Sequence, residues 1–221
     1  MNSTDRLNLI RSIVPTNVKI VAVSKTKPAA MIEDLYAKSG HRIFGENRVQ
    51  ELEAKHAVLP VDIDWHLIGH LQTNKIRFIS SYVGLIQSVD SFRLLHEINK
   101  EAIKCKRIIP CLLQFHIARE ETKSGFSIEE ASRMLDDNLF RELSNIMING
   151  VMGIATYTTD NKQIETEFKT LYKYYNTLKS RYFEQIPGFC EVSMGMTNDY
   201  QIALGEGSTI VRIGSGIFGE R

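Results

Sequence analysis

Along the chain, short runs rich in β-branched residues alternate with longer stretches whose apolar positions recur at helical spacing. The first pattern predicts strands at 18–24 (VKIVAVS), 42–46 (RIFGE), 63–68 (IDWHLI), 84–89 (GLIQSV), 107–115 (RIIPCLLQF), 147–155 (MINGVMGIA), 189–194 (FCEVSM) and 209–213 (TIVRI). The second predicts a helix in each gap. Pro28 to Lys38 has proline in its first turn and Gly40 just past its end, and Ser91 to Lys106 carries Leu94, Leu95, Ile98 and Ile103. Eight βα repeats without a Gly/Ser/Pro-rich linker fit a TIM-type (β/α)8 barrel in which residues 1–221 form a single domain. An open doubly wound sheet more often has about five to seven strands. Eight residues follow Ile213, too few for an eighth helix. The segment Thr4 to Val14, with Thr4 as N-cap and Leu7, Ile10 and Val14 at helical spacing, is therefore expected to cover the last strand.

A parallel barrel builds its site at the C-terminal ends of its strands. Those ends carry Lys25, Glu46 with Asn47, His66 with Gly69, Ser88 with Asp90, Gln114 with His116, Thr156 with Tyr157, Ser193 with Met194, and Arg212 with Gly214 and Ser215. Period-two alternation puts Lys25 on the side of Val21 and Val23, in a strand too apolar for a surface position. A partly desolvated amine is the form that condenses with an aldehyde. A lysine that snorkels to the rim is the plainer reading, and Lys27 shares the parity of Lys25. The glycines of GSTIVRIGSGIFG let backbone amides approach an anion, and barrels commonly bind phosphate after strands seven and eight. Arg212 lies between Val211 and Ile213, so its charge needs a partner, either a carboxylate or a ring nitrogen of a ligand.

Composition narrows the function classes. With 27 basic and 26 acidic residues, a net charge of +1 and 43% hydrophobic residues, no long-range field gathers nucleic acid or an anionic membrane. Cys105, Cys111 and Cys190 are unclustered, which suits reduced thiols in a cytosol and gives no zinc spacing. No signal peptide or apolar run of spanning length is present, so a cytoplasmic location is expected. Gly214, Gly216 and Gly219 spell G-x-G-x-x-G, but no helix and second strand follow to make a dinucleotide site. His66 and His70 are four apart without a helical face or an intervening glutamate, which argues against a metallohydrolase, and Met196 reads as core filler.

Seven blocks in order carry a resemblance: VAVSKTKP at 21–28, FGEN at 44–47 with VQE at 49–51, WHLIGHLQTNK at 65–75, SVDS at 88–91, EETKSG at 120–125, SMGMT at 193–197, and the GST segment from 207 onward. Together they resemble the pyridoxal phosphate homeostasis protein family, related to the N-terminal barrel of alanine racemase. The resemblance implies a barrel in which Lys25 holds pyridoxal 5′-phosphate as a Schiff base and Arg212 faces the pyridine nitrogen. It further implies that Ser193, Gly214 and Ser215 hold the phosphate, that Asn47, His66 and Met194 lie close to the ring, and that Lys123 has a secondary role in handling the cofactor. His116 stands where many members carry asparagine, and Ser215 where many carry threonine. The implied role is non-catalytic: a monomer that balances the cofactor supply and serves cofactor-dependent apoenzymes. An arginine opposite the ring nitrogen fits that role, because it disfavours ring protonation and weakens the electron sink. Two alternatives stand beside it, a weak amino acid racemase or lyase using the same cofactor, and a phosphate-binding barrel enzyme without an aldehyde cofactor.

Overall fold

The computed structural model describes residues 1–120 and 124–220. Its elements are α1 (Ser3–Ile13), β1 (Lys19–Val23), α2 (Ala29–Ser39), β2 (Ile43–Glu46), α3 (Val49–His56), β3 (Asp64–Leu67), a 3₁₀ segment Thr73–Phe78, β4 (Leu85–Val89), α4 (Phe92–Lys104), β5 (Ile109–Phe115), α5 (Ile128–Asp136), α6 (Asn138–Arg141), β6 (Ile146–Gly153), α7 (Asn161–Tyr182), β7 (Glu191–Met196), α8 (Tyr200–Gly205), β8 (Ile210–Ile213) and α9 (Ser215–Phe218). The strands pair in chain order into a closed parallel barrel, and β1 closes on β8 with Val21 opposite Arg212. This is the (β/α)8 barrel expected from the sequence.

Parity along each strand sorts the apolar residues into two bodies. Val21, Val23, Leu85, Leu112, Met152 and Ile210 fill the barrel interior. The alternate positions, among them Ile20, Ala22, Phe44, Trp65, Leu113, Val192 and Val211, pack outward beneath the helices. Gly45 faces inward, where a Cβ would lie 2.7 Å from Val21 Cγ1, so a larger residue would displace the interior packing.

The helix signals act largely as anticipated. Pro28 precedes α2 in an extended conformation, and Gly40 ends it at φ 67°, the left-handed C-cap that glycine adopts without strain. Ser91 caps α4 by accepting from the Leu94 amide. At α1 the cap is Asn2, not Thr4: Asn2 and Asp5 form a reciprocal capping box. This helix buries Leu7, Ile10 and Val14 and packs beside α2 and α9, so it covers the region after β8, to which α9 itself contributes only one turn.

Candidate functional site

The end of β1 turns sharply. Its ladder runs one residue past the strand, with the Ser24 amide donating to the Gly45 carbonyl at 3.0 Å, and Thr26 then adopts φ 64°. A β-branched residue is strained in that region, so the surroundings must hold it there. Glu51 does so, accepting from the Thr26 amide at 3.1 and 3.2 Å. Behind the turn, Lys55 Nζ donates to the Ser24 carbonyl at 2.8 Å and to Glu46 Oε1 at 2.7 Å, while Ser24 Oγ donates to the same Glu46 oxygen at 2.6 Å. Glu46 thus points outward from β2, not into the mouth. Burial pushes its pKa up to about 7, although hydrogen bonds from Lys55 and Ser24 oppose the rise. For Glu51 burial acts upward too, but a hydrogen bond to Glu46, the Thr26 amide and the charges of Lys55 and Arg48 hold it below the usual carboxylate range.

This frame separates the two rival lysines. Lys27 donates to the carbonyls of Gly219 at 3.1 Å and Glu220 at 3.0 Å, tying the α9 turn to the α2 entry. Lys25 is half-buried, and among the described residues no group hydrogen-bonds or ion-pairs with its amine. Of the two, it is the amine without such a partner.

Beside it lies the end of β8. Gly214 sits next to Val23, where a Cβ would be 3.5 Å from the Val23 side chain. The amides of Gly214 and Gly216 both donate to Thr197 Oγ1 at 3.3 Å, so two backbone donors converge on one oxygen from the end of β7. At Gly216 a Cβ would come within 2.9 Å of Ile213 Cγ2. Ser215 is exposed on the rim of this amide cradle. Thr197 lies in the SMGMT block, and the signal for its role is its place just past β7, opposite the glycines.

Arg212 spans the space beneath. The residue is 4% exposed, and its guanidinium donates to Ser193 Oγ at 2.6 Å and to the Gly153 carbonyl at 2.9 Å. Burial pushes its pKa down to about 10, opposed by the charge of Asp199, so it stays cationic at neutral pH. Ser193 does not reach the cradle: it faces the interior and its hydroxyl donates to Gln87 Oε1 at 2.6 Å. Met194, the next residue along, points the opposite way into the core beneath the helices. Period-two alternation requires that split, and it removes the Met194 side chain from the expected ring contacts. His66 is inward but deep, 3% exposed and bonded to Gln87 Nε2 through Nδ1 at 2.9 Å.

Asn47 is half-buried at the mouth. Gly69 packs so tightly there that a Cβ would lie 2.4 Å from the Asn47 carbonyl oxygen. A cavity of ≈ 220 Å³ continues from Asn47 across the ends of β3 to β6, lined by Gly69, His70, Asp90, Gln114 and His116 among others. Lys123 lies outside the described residues. No cluster of three His, Cys, Asp or Glu side chains placed to hold a metal occurs among the described residues, and no helix among them is long and apolar enough to cross a membrane.

Fold and mouth together define a class: a closed parallel barrel with a lysine just past β1 and, at the end of the adjacent β8, two glycine amides converging on one hydroxyl. The chain belongs to the alanine racemase N-terminal domain family, whose sequence profile matches residues 2–221, and within it to the proteins named pyridoxal phosphate homeostasis protein. The relative of that name from Aquifex aeolicus is 37% identical over 204 residues, covering 92% of this chain and 87% of its own. The one from Haemophilus influenzae is 33% identical and covers 100% of this chain and 97% of its own. PipY of Synechococcus elongatus, solved with pyridoxal phosphate bound, superposes with a TM-score of 0.87 at 34% identity, covering 99% of this chain and 100% of PipY.

Proposed function

We propose that this protein holds pyridoxal 5′-phosphate covalently through Lys25 at the barrel mouth and serves the homeostasis of that cofactor without catalysing a reaction on it. The observation that carries the reading is that Lys25, which has no hydrogen-bond or ion-pair partner among the described residues, follows β1, while the Gly214 and Gly216 amides converge at the end of the adjacent β8, whose Arg212 is a buried cation. When bound, the cofactor supplies an aldehyde for an amine to condense with and a phosphate dianion to be held. This chain's own groups fit both demands. The turn at Thr26, pinned by Glu51, aims Lys25, and the glycine amides with the Ser215 and Thr197 hydroxyls offer donors to a phosphate. Arg212 presents a positive charge toward the mouth, which keeps a proton off a neighbouring ring nitrogen. That disfavours the electron sink on which transamination and racemisation depend, and it supports holding over turnover. Supporting the same reading, relatives carry the homeostasis name and PipY has been solved with the cofactor. In this reading residues 1–221 act as one unit, monomeric and cytosolic, that passes cofactor to apoenzymes.

Borohydride reduction of the cofactor-loaded protein followed by peptide mass mapping tests it. The mass of the reduced cofactor is expected on the peptide containing Lys25 and is expected to vanish in Lys25→Ala. Label found mainly on another peptide of the unmutated protein, or no label at all, overturns the assignment.

A further inference from the structure

Beneath Arg212 the barrel interior is not filled by aliphatic side chains alone. Four groups from four different strands, His66 on β3, Gln87 on β4, Ser193 on β7 and Arg212 on β8, are 3%, 0%, 0% and 4% exposed, and they form one hydrogen-bonded chain. The donors fix its direction. Arg212 can only donate, so Ser193 Oγ accepts from it at 2.6 Å and must send its own proton elsewhere. That proton goes to Gln87 Oε1 at 2.6 Å, which places the Gln87 amide nitrogen against His66 Nδ1 at 2.9 Å. An amide nitrogen donates, so Nδ1 accepts and the His66 proton sits on Nε2, where Asp64 Oδ2 lies at 3.4 Å. Asp64 opens β3 at the opposite end of the barrel from the mouth, with its side chain 46% exposed.

We propose that Gln87 is a positioning residue for the cofactor site: through Ser193 it fixes the guanidinium of Arg212, and through His66 it ties that guanidinium to Asp64 at the far rim. The inference rests on the reading that the mouth holds pyridoxal phosphate, but its core, that Gln87 holds Arg212 in place, concerns this chain alone. Gln87 suits the task because its side chain is donor and acceptor at once. An aliphatic residue would fill the space, yet the Ser193 hydroxyl would lose its acceptor and would be free to turn. Arg212 Nη1 would then lose an acceptor held in one orientation, while Nη2 keeps the Gly153 carbonyl. Among the described residues Gln87 hydrogen-bonds to neither the cradle glycines nor Lys25, and its effect on the cofactor is expected to travel through Arg212.

Two measurements on wild type, Gln87→Met, Gln87→Glu and Ser193→Ala separate the inference from the reading beneath it. In cofactor-free protein, nitrogen-15 NMR of the arginine side chains is expected to show a slowly rotating, exchange-protected Arg212 guanidinium in wild type. That signature should be lost in Gln87→Met and Ser193→Ala. It should survive in Gln87→Glu, whose carboxylate still accepts from Ser193 and pairs with a protonated His66. In protein titrated with pyridoxal phosphate, Gln87→Met should bind about tenfold more weakly, with a shifted absorbance maximum and an altered pH dependence of that band, while the reduced label stays on Lys25. Gln87→Met combined with Ser193→Ala should be no worse than either change alone, because both cut the same chain. An Arg212 signature unchanged in both Gln87→Met and Ser193→Ala overturns the inference whether or not cofactor binds. So does a loaded Gln87→Met protein with the affinity and spectrum of wild type. Failure of wild type to take up cofactor overturns the proposed function instead, and the Arg212 signature still decides the role of Gln87.

Discussion

Glu46→Gln tests the network that holds the Lys25 turn. Glu46 is fully buried, and one of its oxygens accepts from both Lys55 and Ser24. Its pKa rises from 4.5 to about 7, chiefly through burial. Between those two values the folded protein keeps a proton that the unfolded chain has lost. The contribution of Glu46 to stability is therefore fully present below pH 4.5 and is lost as the pH climbs through 7. At about 1.4 kcal/mol per pH unit, the whole interval is worth about 3 kcal/mol. Glutamine has the shape of the protonated acid and keeps an oxygen for Lys55 and Ser24, yet it does not titrate. Urea unfolding of wild type and Glu46→Gln at pH 5, 6, 7 and 8 is the assay. Wild type should lose about 2.5 kcal/mol relative to the variant across that series, most of it between pH 5 and 7. A difference that stays flat, or that grows in favour of wild type as the pH rises, refutes the argument. It would mean that Lys55 keeps Glu46 ionised in the folded state throughout.

Three further outcomes follow from geometry. Gly216→Ala places a Cβ 2.9 Å from Ile213 Cγ2 and 3.2 Å from Thr197 Cγ2, so the amide cradle must open; cofactor affinity by spectroscopic titration should fall about tenfold while the circular dichroism spectrum is kept. Gly150→Ala puts a Cβ 1.8 Å from the Glu191 carbonyl oxygen at φ 155°, a backbone clash at the β6–β7 pairing, and denaturant unfolding should show a loss of about 3 kcal/mol or failure to fold. Phe44→Ala removes a fully buried ring packed 6.1 Å from Trp65 and 5.4 Å from His41, and should lower unfolding stability by about 3–5 kcal/mol without moving the reduced label from Lys25.

The barrel was legible because strands buried on both faces advertise themselves. VKIVAVS and RIIPCLLQF are apolar on both parities, and β1 and β5 fall within them, at Lys19–Val23 and Ile109–Phe115. Helix ends were legible where one residue type does the work, as Gly40 does at φ 67°. They were less so at α1, where Thr4 and Asn2 are both good caps and only the pairing of Asn2 with Asp5 decides between them. Within the site, Lys25 and the glycines could be found because each has chemistry of its own. The choice between Lys25 and Lys27 could not be made by parity, since Thr26 at φ 64° breaks the extended run between them. Glu46 and Met194 were gathered with the mouth residues because position along a strand was weighed more than face.

Gln87 shows a different limit. In GLIQSV it is one polar residue in a strand, and nothing local names its partners, which lie 21 residues before it and 106 after it. Only barrel closure brings them together. A barrel under no demand but stability fills its interior with branched aliphatic side chains, as Val21, Val23, Leu85, Leu112 and Ile210 do here. Burying an arginine and a hydrogen-bonded chain beneath it is at best neutral against such packing, because desolvation offsets the hydrogen bonds gained. The polar interior is therefore poorly explained by the fold that contains it. It is well explained by a fixed cation under the mouth, because a guanidinium free to turn would present its charge to many directions and to no ligand atom in particular. The strained Thr26 turn on one side and the tethered Arg212 on the other are then two instances of one arrangement, in which neighbouring side chains hold the groups at and beneath the mouth still.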